Sequence, residues 1–227
     1  MDATAVENAK RAAGEEAARL VEPGMALGLG TGSTAYWFIA AVGERVAAGL
    51  QVRAVATSHA SEEQARALGI AIVELDEDGL DLAVDGADAV DPQLRLIKGA
   101  GAALLREKVV AAAARRFIVV VDESKLRDRL GGVVPVEVVR FGVASTLRLL
   151  RETGTGFVLR RDPRGQPVVT DNGNWVADGA FAVIPDPEGL AAQLEAIPGV
   201  VGHGLFLGMA DLVIVARGDG SISRLAL

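Results

Sequence analysis

The chain has 227 residues, half of them hydrophobic, and a net charge of −7 from 23 basic and 30 acidic side chains. That length allows one large domain or two small ones, and the absence of Cys excludes disulfides, zinc–thiolate sites and a cysteine nucleophile. Lys and Arg form no basic stripe and no apolar run is long enough for a bilayer, which argues against nucleic-acid and membrane partners.

The N-terminal MDATAVENAKRAAGEE has no apolar core, so it does not read as a signal peptide, and a Cys-free chain fits a reducing, cytoplasmic compartment. Only two His occur, far apart at His59 and His203, so a His-rich metal site is not expected. Gly is abundant, 27 residues, which points to tight turns and close backbone approaches.

The first element is a helix over residues 3–21, stopped by Pro23-Gly24. A short apolar strand (Met25–Leu29), a Gly-rich turn and a helix from about 34 to 48 follow. Gln51–Ala56 reads as a strand, Ser61–Leu68 as a helix ended by Gly69, and Ile70–Glu74 and Leu80–Val84 as strands. Ala102–Arg116 is a helix and Phe117–Val121 a wholly apolar strand. Continuous apolar strands alternating with helices predict a Rossmann-like, mostly parallel sheet covered by helices on both faces.

The pattern changes near Gly131. Val134–Val139 is a strand, Val143–Glu152 a helix, Gly156–Arg160 a strand, and Pro167–Asp171 a strand continuing past Asn172-Gly173. Pro187–Ile197 is a helix and Val200–Leu207 a strand, and Asp211–Ala216 returns to the first sheet. The order βαββαβ predicts a second, smaller, ferredoxin-like α+β domain. The expected division is a catalytic domain over residues 1–133 plus 207–227 and an α+β domain over 134–206.

Ligands of open α/β sheets bind outside the carboxyl ends of the strands. Polar segments leave such ends at GLGTGST (Gly28–Thr34), ATSH (Ala56–His59), DGAD (Asp85–Asp88) and DESK (Asp122–Lys125). GLGTGST opens a helix, whose free N–H groups, with the Ser33 and Thr34 hydroxyls, suit an anion. It has neither the Lys of a P-loop nor the GxGxxG spacing of a dinucleotide site. The same residues also read as a plain glycine turn with a helix cap. Asp85 and Asp88 could exchange protons with sugar hydroxyls, or form a turn and a cap. Asp91-Pro92 reads as a turn.

KGAGAALLREK is the most informative stretch. Lys98 precedes a glycine-rich helix start, where a cation and N–H groups could stabilise an oxyanion. Glu107 shares a helix face with Ala103, Val110, Ala111 and Ala114, while Leu105, Val109 and Ala112 form a second apolar stripe and Arg106 and Lys108 lie on the flanks. A carboxylate in an apolar stripe is costly unless used or paired. Burial would raise its pKa towards the range of a general base. An Ala-rich face is equally compatible with an exposed Glu107. Lys125 and, more weakly, Lys10 are further candidate cations. His59 reads as a helix-entry residue, His203 as a structural one, Trp37 and Trp175 as packing residues, and TDNGNW (Thr170–Trp175) as an Asn-Gly hairpin.

In series, GLGTGSTA, DLAVDGADAVD, IKGAGAALLREK, VDESKL, PVEVV, VTDNGN and IPGVVGHGLFLGMADLVIVA resemble the type A ribose-5-phosphate isomerases. The resemblance runs in order from about Lys10 to Ala216. It implies interconversion of ribose 5-phosphate and ribulose 5-phosphate without metal or organic cofactor, in a homodimer or homotetramer. By its motifs Glu107 is the base. Thr31, Gly32, Ser33 and Thr34 map to one substrate loop, Asp85, Gly86, Ala87 and Asp88 to a second, and Lys98, Gly99, Ala100 and Gly101 to a third. Lys125 and Lys10 map to further contacts. Two departures are Ala100, where many members have Gly, and GGVV before PVEVV, where a Leu is usual; neither touches a proposed catalytic side chain.

Three other activities stay open on the residues. A sugar-phosphate sensor of related fold would carry a helix-turn-helix, for which the roughly 24 residues before the first strand are expected to be too few. A CoA-transferase-like enzyme would use a Glu nucleophile on a larger ligand, and an aminosugar-phosphate deaminase would release ammonia.

Overall fold

The computed structural model describes residues 3–227; residues 1 and 2 of the expected first domain lie outside it. In chain order the elements are α1 (Ala3–Ala18), β1 (Ala26–Leu29), α2 (Ser33–Ala47), β2 (Arg53–Ala56), α3 (His59–Ala67), β3 (Ala71–Ile72), β4 (Leu82–Asp85), β5 (Ala89–Val90), β6 (Leu96–Ile97), α4 (Leu104–Ala113) and β7 (Phe117–Asp122). A short 3-10 turn (Glu123–Lys125) precedes β8 (Gly132–Val138), α5 (Val143–Arg151), β9 (Phe157–Leu159), β10 (Trp175–Phe181), α6 (Pro187–Glu195), β11 (Val200–His203), β12 (Leu205–Phe206), β13 (Leu212–Ala216) and β14 (Ile222–Leu225). No described helix is long and apolar enough to cross a membrane.

Two compact units emerge. The first comprises the described residues up to Ala87, with Arg106–Leu126 and Gly208–Leu227; the second comprises Asp88–Leu105 and Arg127–Leu207.

The first unit is built on a seven-stranded sheet of order β14-β13-β7-β4-β1-β2-β3. All its neighbours pair parallel except β13 and β14. The strand order reverses between β1 and β4, the switch point where α/β sheets bind ligands. Alternate residues serve opposite faces. Leu27, Leu29, Leu82, Val84, Ile118 and Val120 join α1 and α2 in one core. Gly28, of the other parity, lies under Val110 of α4: a Cβ there would sit 2.5 Å from Val110 Cγ1. Helices therefore cover both faces, as expected of strands apolar along their whole length. Helices α1 and α2 cross where Gly14 meets the backbone of Trp37 and Phe38, at distances no larger residue tolerates.

The second unit contains an antiparallel sheet of order β11-β8-β10-β9, with α5 and α6 in the βαββαβ sequence. Its core joins Val134, Val136, Val138 and Phe157 to Leu150, Leu190 and Leu194 of the helices. A three-stranded sheet of order β12-β6-β5 lies in the same unit. Asp91 closes the turn before β6, accepting from the Gln93 and Arg95 N–H groups and pairing with the Arg95 guanidinium at 2.6 Å.

Several boundaries differ from expectation. The segment at Ile70–Glu74 pairs only over Ala71–Ile72. Helix α4 begins at Leu104, not Ala102, because Ala102 takes the left-handed conformation (φ 60°), which ends a helix. Pro167–Asp171 forms no strand. Isolated bridges at Pro167 and Val169 are followed by the Thr170–Asn174 turn, and continuous pairing starts at Trp175. Val200–Leu207 is two strands in two sheets, parted at Gly204. Strand β14 went unanticipated, although Gly218-Asp219-Gly220 before it is a turn signal.

Candidate active site

In the first unit, the residues leaving β1, β2 and β4 are tied together. The Thr31 N–H donates to Asp85 Oδ1 at 3.0 Å. The Thr31 hydroxyl meets those of Thr57 (2.7 Å), Ser58 (2.8 Å) and Ser61 (3.2 Å). Gly30 permits this contact: a Cβ there would sit 2.2 Å from Asp85 Oδ1. Gly32 takes φ 109° and enters α2 without a side-chain cap bond. The first N–H groups of α2 therefore have no side-chain cap from Gly32, and they are flanked by exposed Ser33 and buried Thr34.

Asp85 is 3% exposed and ends β4; its Oδ1 also accepts from the Gly86 N–H at 2.7 Å. Gly86 and Ala87 are half-buried. Helix α4 runs antiparallel to the strands, since Leu80, just before β4, bonds to Ala113 at the helix end. Its first turn, with Glu107, therefore stands at the carboxyl end of the sheet. Of the two apolar stripes on α4, the one carrying Glu107 is buried (Ala103, Val110, Ala111), and Glu107 itself is 4% exposed. The other stripe faces solvent, with Val109 at 49%.

The end of β7 in this unit carries Asp122, buried, which caps the 3-10 turn through the Ser124 N–H at 2.9 Å; Lys125 closes that turn, half-buried. Lys10 pairs with Glu7 at 3.6 Å on α1, and Glu7 accepts from the Trp37 indole N–H at 2.7 Å. Lys10 is thereby linked to the early turns of α2, which begins at Ser33.

In the second unit, Lys98 is 2% exposed, its ammonium 5.4 Å from the centre of the Phe206 ring, a cation–π arrangement. Its backbone N–H donates to Gly204 O at 2.8 Å, and the Gly204 N–H donates to Pro135 O at 2.7 Å. Gly99 takes φ 106°. The Ala100 N–H donates to Asp88 Oδ2 at 2.9 Å, so Asp88 holds the loop of Lys98–Gly101 in addition to facing solvent in part. His203 is structural: its Nδ1 accepts from the Leu205 N–H at 3.2 Å, which leaves the proton on Nε2, facing Glu195. His59 opens α3, exposed.

Sequence reasoning missed Gly204, Arg160 and Glu137. Gly204 lies against the Lys98 carbonyl so closely that a Cβ would be 2.2 Å from it; the Gly202-His203-Gly204 repeat of glycine was the available signal. Arg160 donates to the carbonyls of Gly99 and Ala100. Glu137, fully buried on β8, accepts at Oε1 from Thr170 (2.9 Å), Asn172 (3.1 Å) and Asn174 (2.9 Å). TDNGN is thus a turn locked onto a carboxylate.

Residues 53–220 match the family pattern of ribose 5-phosphate isomerase A (phosphoriboisomerase A). The chain is 52% identical to ribose-5-phosphate isomerase A of Roseiflexus sp. strain RS-1 over 218 residues, 94% of each chain. The chain belongs to this family. Its Methylorubrum populi relative is 53% identical over 219 residues, covering 93% of each chain. The fold superimposes on a D-ribose-5-phosphate isomerase solved in complex with phospho-erythronic acid, with TM-score 0.93 and 41% identity over 98% of this chain and 99% of that one. The Methanocaldococcus jannaschii ribose 5-phosphate isomerase A gives TM-score 0.92 at 40% identity, over 97% of this chain and 99% of that one.

Proposed function

We propose that Glu107 carries a proton between C1 and C2 of an open-chain pentose 5-phosphate, through an enediolate. The chain is a ribose-5-phosphate isomerase, interconverting D-ribose 5-phosphate and D-ribulose 5-phosphate. The burial of the Glu107 side chain on the sheet-facing stripe of α4 carries the assignment of the base. A carboxylate withdrawn from water and placed at a strand's carboxyl end suits proton abstraction next to a carbonyl. One such group serves both transfers if it stays on one face of the intermediate.

In this reading Lys98 and the N–H groups of the Gly99–Gly101 loop stabilise the oxygen charge that grows on the enediolate. Asp85 assists ring opening and hydroxyl proton transfer, and Asp88 orients the substrate. Ser33, Thr34 and the first turn of α2, with Lys125 and Lys10, take the phosphate. Pinning the anionic end presents the carbon chain to the base. The phospho-erythronic acid bound by the solved relative supports an enediolate. Its planar carboxylate shares a negative charge over two oxygens, as the planar O–C1–C2–O unit of the intermediate does.

The chemistry is acid–base throughout and needs no metal or organic cofactor. The reading further assigns a cytoplasmic location, which the Cys-free composition supports, and a homodimer or homotetramer assembled through residues 134–206. Exposed apolar side chains on that stretch, Phe141 at 93% and Val158 at 61%, support the last point.

The test is conversion of ribose 5-phosphate in the presence of EDTA, run in heavy water with substrate labelled at C2. Turnover with solvent hydrogen entering the product is expected. Turnover that needs an added metal, or that retains all of the label, overturns the mechanism.

A further inference from the structure

Arg160 lies just past β9, and no step of the reaction above calls on it. Its guanidinium grips Asp178 of β10 with two parallel hydrogen bonds, Nε to Oδ2 at 2.8 Å and Nη2 to Oδ1 at 2.6 Å. That fork fixes the plane and direction of the group more firmly than a single contact would. The remaining nitrogen, Nη1, donates to two consecutive carbonyls of the loop after Lys98: Gly99 O at 3.0 Å and Ala100 O at 2.8 Å. Gly99 O also receives the Ala102 N–H at 3.0 Å.

In a trans peptide the C=O and the following N–H point in opposite directions. A Gly99 carbonyl turned to Arg160 therefore sends the Ala100 N–H away from it, where it meets Asp88 Oδ2 at 2.9 Å. The Ala100 carbonyl, held by the same nitrogen, turns the Gly101 N–H away from Arg160 as well. That N–H makes no hydrogen bond among the described residues, and Gly101 is exposed. Asp88 takes the first N–H of the pair and leaves the second open. Gly99 at φ 106° and Ala102 at φ 60° bracket these two peptides with left-handed conformations, so local backbone preference does little to hold their orientation. The hydrogen bonds to Arg160 supply what the glycines do not.

We propose that Arg160, braced by Asp178, is a positioning residue for the isomerisation. It holds the Gly99 and Ala100 carbonyls behind the loop so that the Gly101 N–H is presented to the oxyanion of the enediolate. The positive charge on the carbonyl side also polarises both peptides and strengthens their N–H groups as donors. The inference rests on the reading of this loop as the oxyanion-stabilising element.

The experiment compares the full-length chain with Arg160→Ala and Arg160→Lys. Loss of a single oxyanion donor costs about 10²–10³ in rate, and a misdirected donor should cost less. Arg160→Ala should lower kcat by about 10- to 100-fold, with KM for ribose 5-phosphate changing less than about threefold. Inhibition by phospho-erythronic acid should weaken by a factor tracking the loss in kcat/KM, since a mimic of the intermediate reads the same donor. Guanidinium ion at millimolar concentration should restore part of kcat in Arg160→Ala and none in the unaltered chain. Arg160→Lys, which keeps the charge but loses the fork, should fall between the two and show whether the loop still folds. Urea midpoints for each variant separate lost catalysis from lost structure. A kcat within twofold of the unaltered chain in both variants overturns the proposal. So does a loss that guanidinium cannot restore, or that follows the fraction of folded protein. Failure of the underlying reading looks different: Lys98→Met, which removes the cation of the same loop, would then leave kcat unchanged.

Discussion

The Thr31 N–H donates to Oδ1 of Asp85 across the switch point of the parallel sheet, at 3.0 Å. Thr31 follows β1 and Asp85 ends the neighbouring strand β4, and the bond joins the glycine-rich turn to the acidic loop. The turn depends on a glycine for this contact, because Gly30 packs against the Asp85 side chain and backbone. Gly30→Ala would place a methyl 2.2 Å from Asp85 Oδ1 and 2.6 Å from its Cα. We expect a loss of about 1–3 kcal/mol in urea denaturation from the forced backbone shift, together with a raised KM for ribose 5-phosphate. Unchanged stability and unchanged KM would show that the turn relaxes freely and does not hold the phosphate.

Glu107→Gln keeps the size of the side chain and removes its basicity. With Glu107 4% exposed on the packed side of α4, the substitution should leave the fold intact. Turnover is expected to fall by at least about 10³-fold, in line with the upper range for a general base. Binding of ribose 5-phosphate by calorimetry should change little. A variant turning over at near-normal rate refutes the assignment.

Gly204 bonds through its carbonyl to the Lys98 N–H at 2.8 Å and lies so close that a Cβ would be 2.2 Å from the Lys98 carbonyl. Gly204→Ala should therefore displace Lys98, lowering kcat together with stability. Lys98→Met should act differently. It removes a buried charge, and so should lower kcat by about 10²–10³-fold without lowering the urea midpoint, because a charge on a residue only 2% exposed is costly to keep dry. Parallel loss of midpoint and kcat in Lys98→Met would make Lys98 a structural residue.

Glu137 is fully buried, and one of its oxygens accepts three donors from the Thr170–Asn174 turn. Glu137→Ala leaves the buried Thr170 hydroxyl and two amides without their acceptor. A loss of about 2–3 kcal/mol is expected, since each orphaned buried donor costs about 1–3 kcal/mol. Glu137→Gln retains a carbonyl acceptor and should lose less. The kcat of folded protein should be unaffected in both, and a kcat loss at full stability would give TDNGN a catalytic part.

The parallel sheet was legible because β1 and β13 are apolar throughout, and β4 and β7 are apolar up to their last residue, a pattern that water tolerates on neither face. The strand ends were legible for the complementary reason: Thr31–Thr34, Asp85–Asp88 and Asp122–Lys125 are polar immediately after those runs. The two apolar stripes of α4 were not distinguishable in one dimension, and packing against Gly28 chose the stripe bearing Glu107. The break at Ala102 and the split of Val200–Leu207 escaped because a left-handed Ala and a sheet-switching Gly leave no periodic trace.

Hydrophobic patterning is a local property, so the chain alone specified its two layers, most of its strands and helices in order, and the polar residues at the carboxyl ends of the strands. Hydrogen-bond partners are not local. Arg160 meets Gly99 across 61 residues, and Thr31 meets Asp85 across 54. Which donor of the Lys98 loop is spent on Asp88, and which stays open at Gly101, follows from those distant pairings, because a peptide's direction is set by whatever grips its carbonyl.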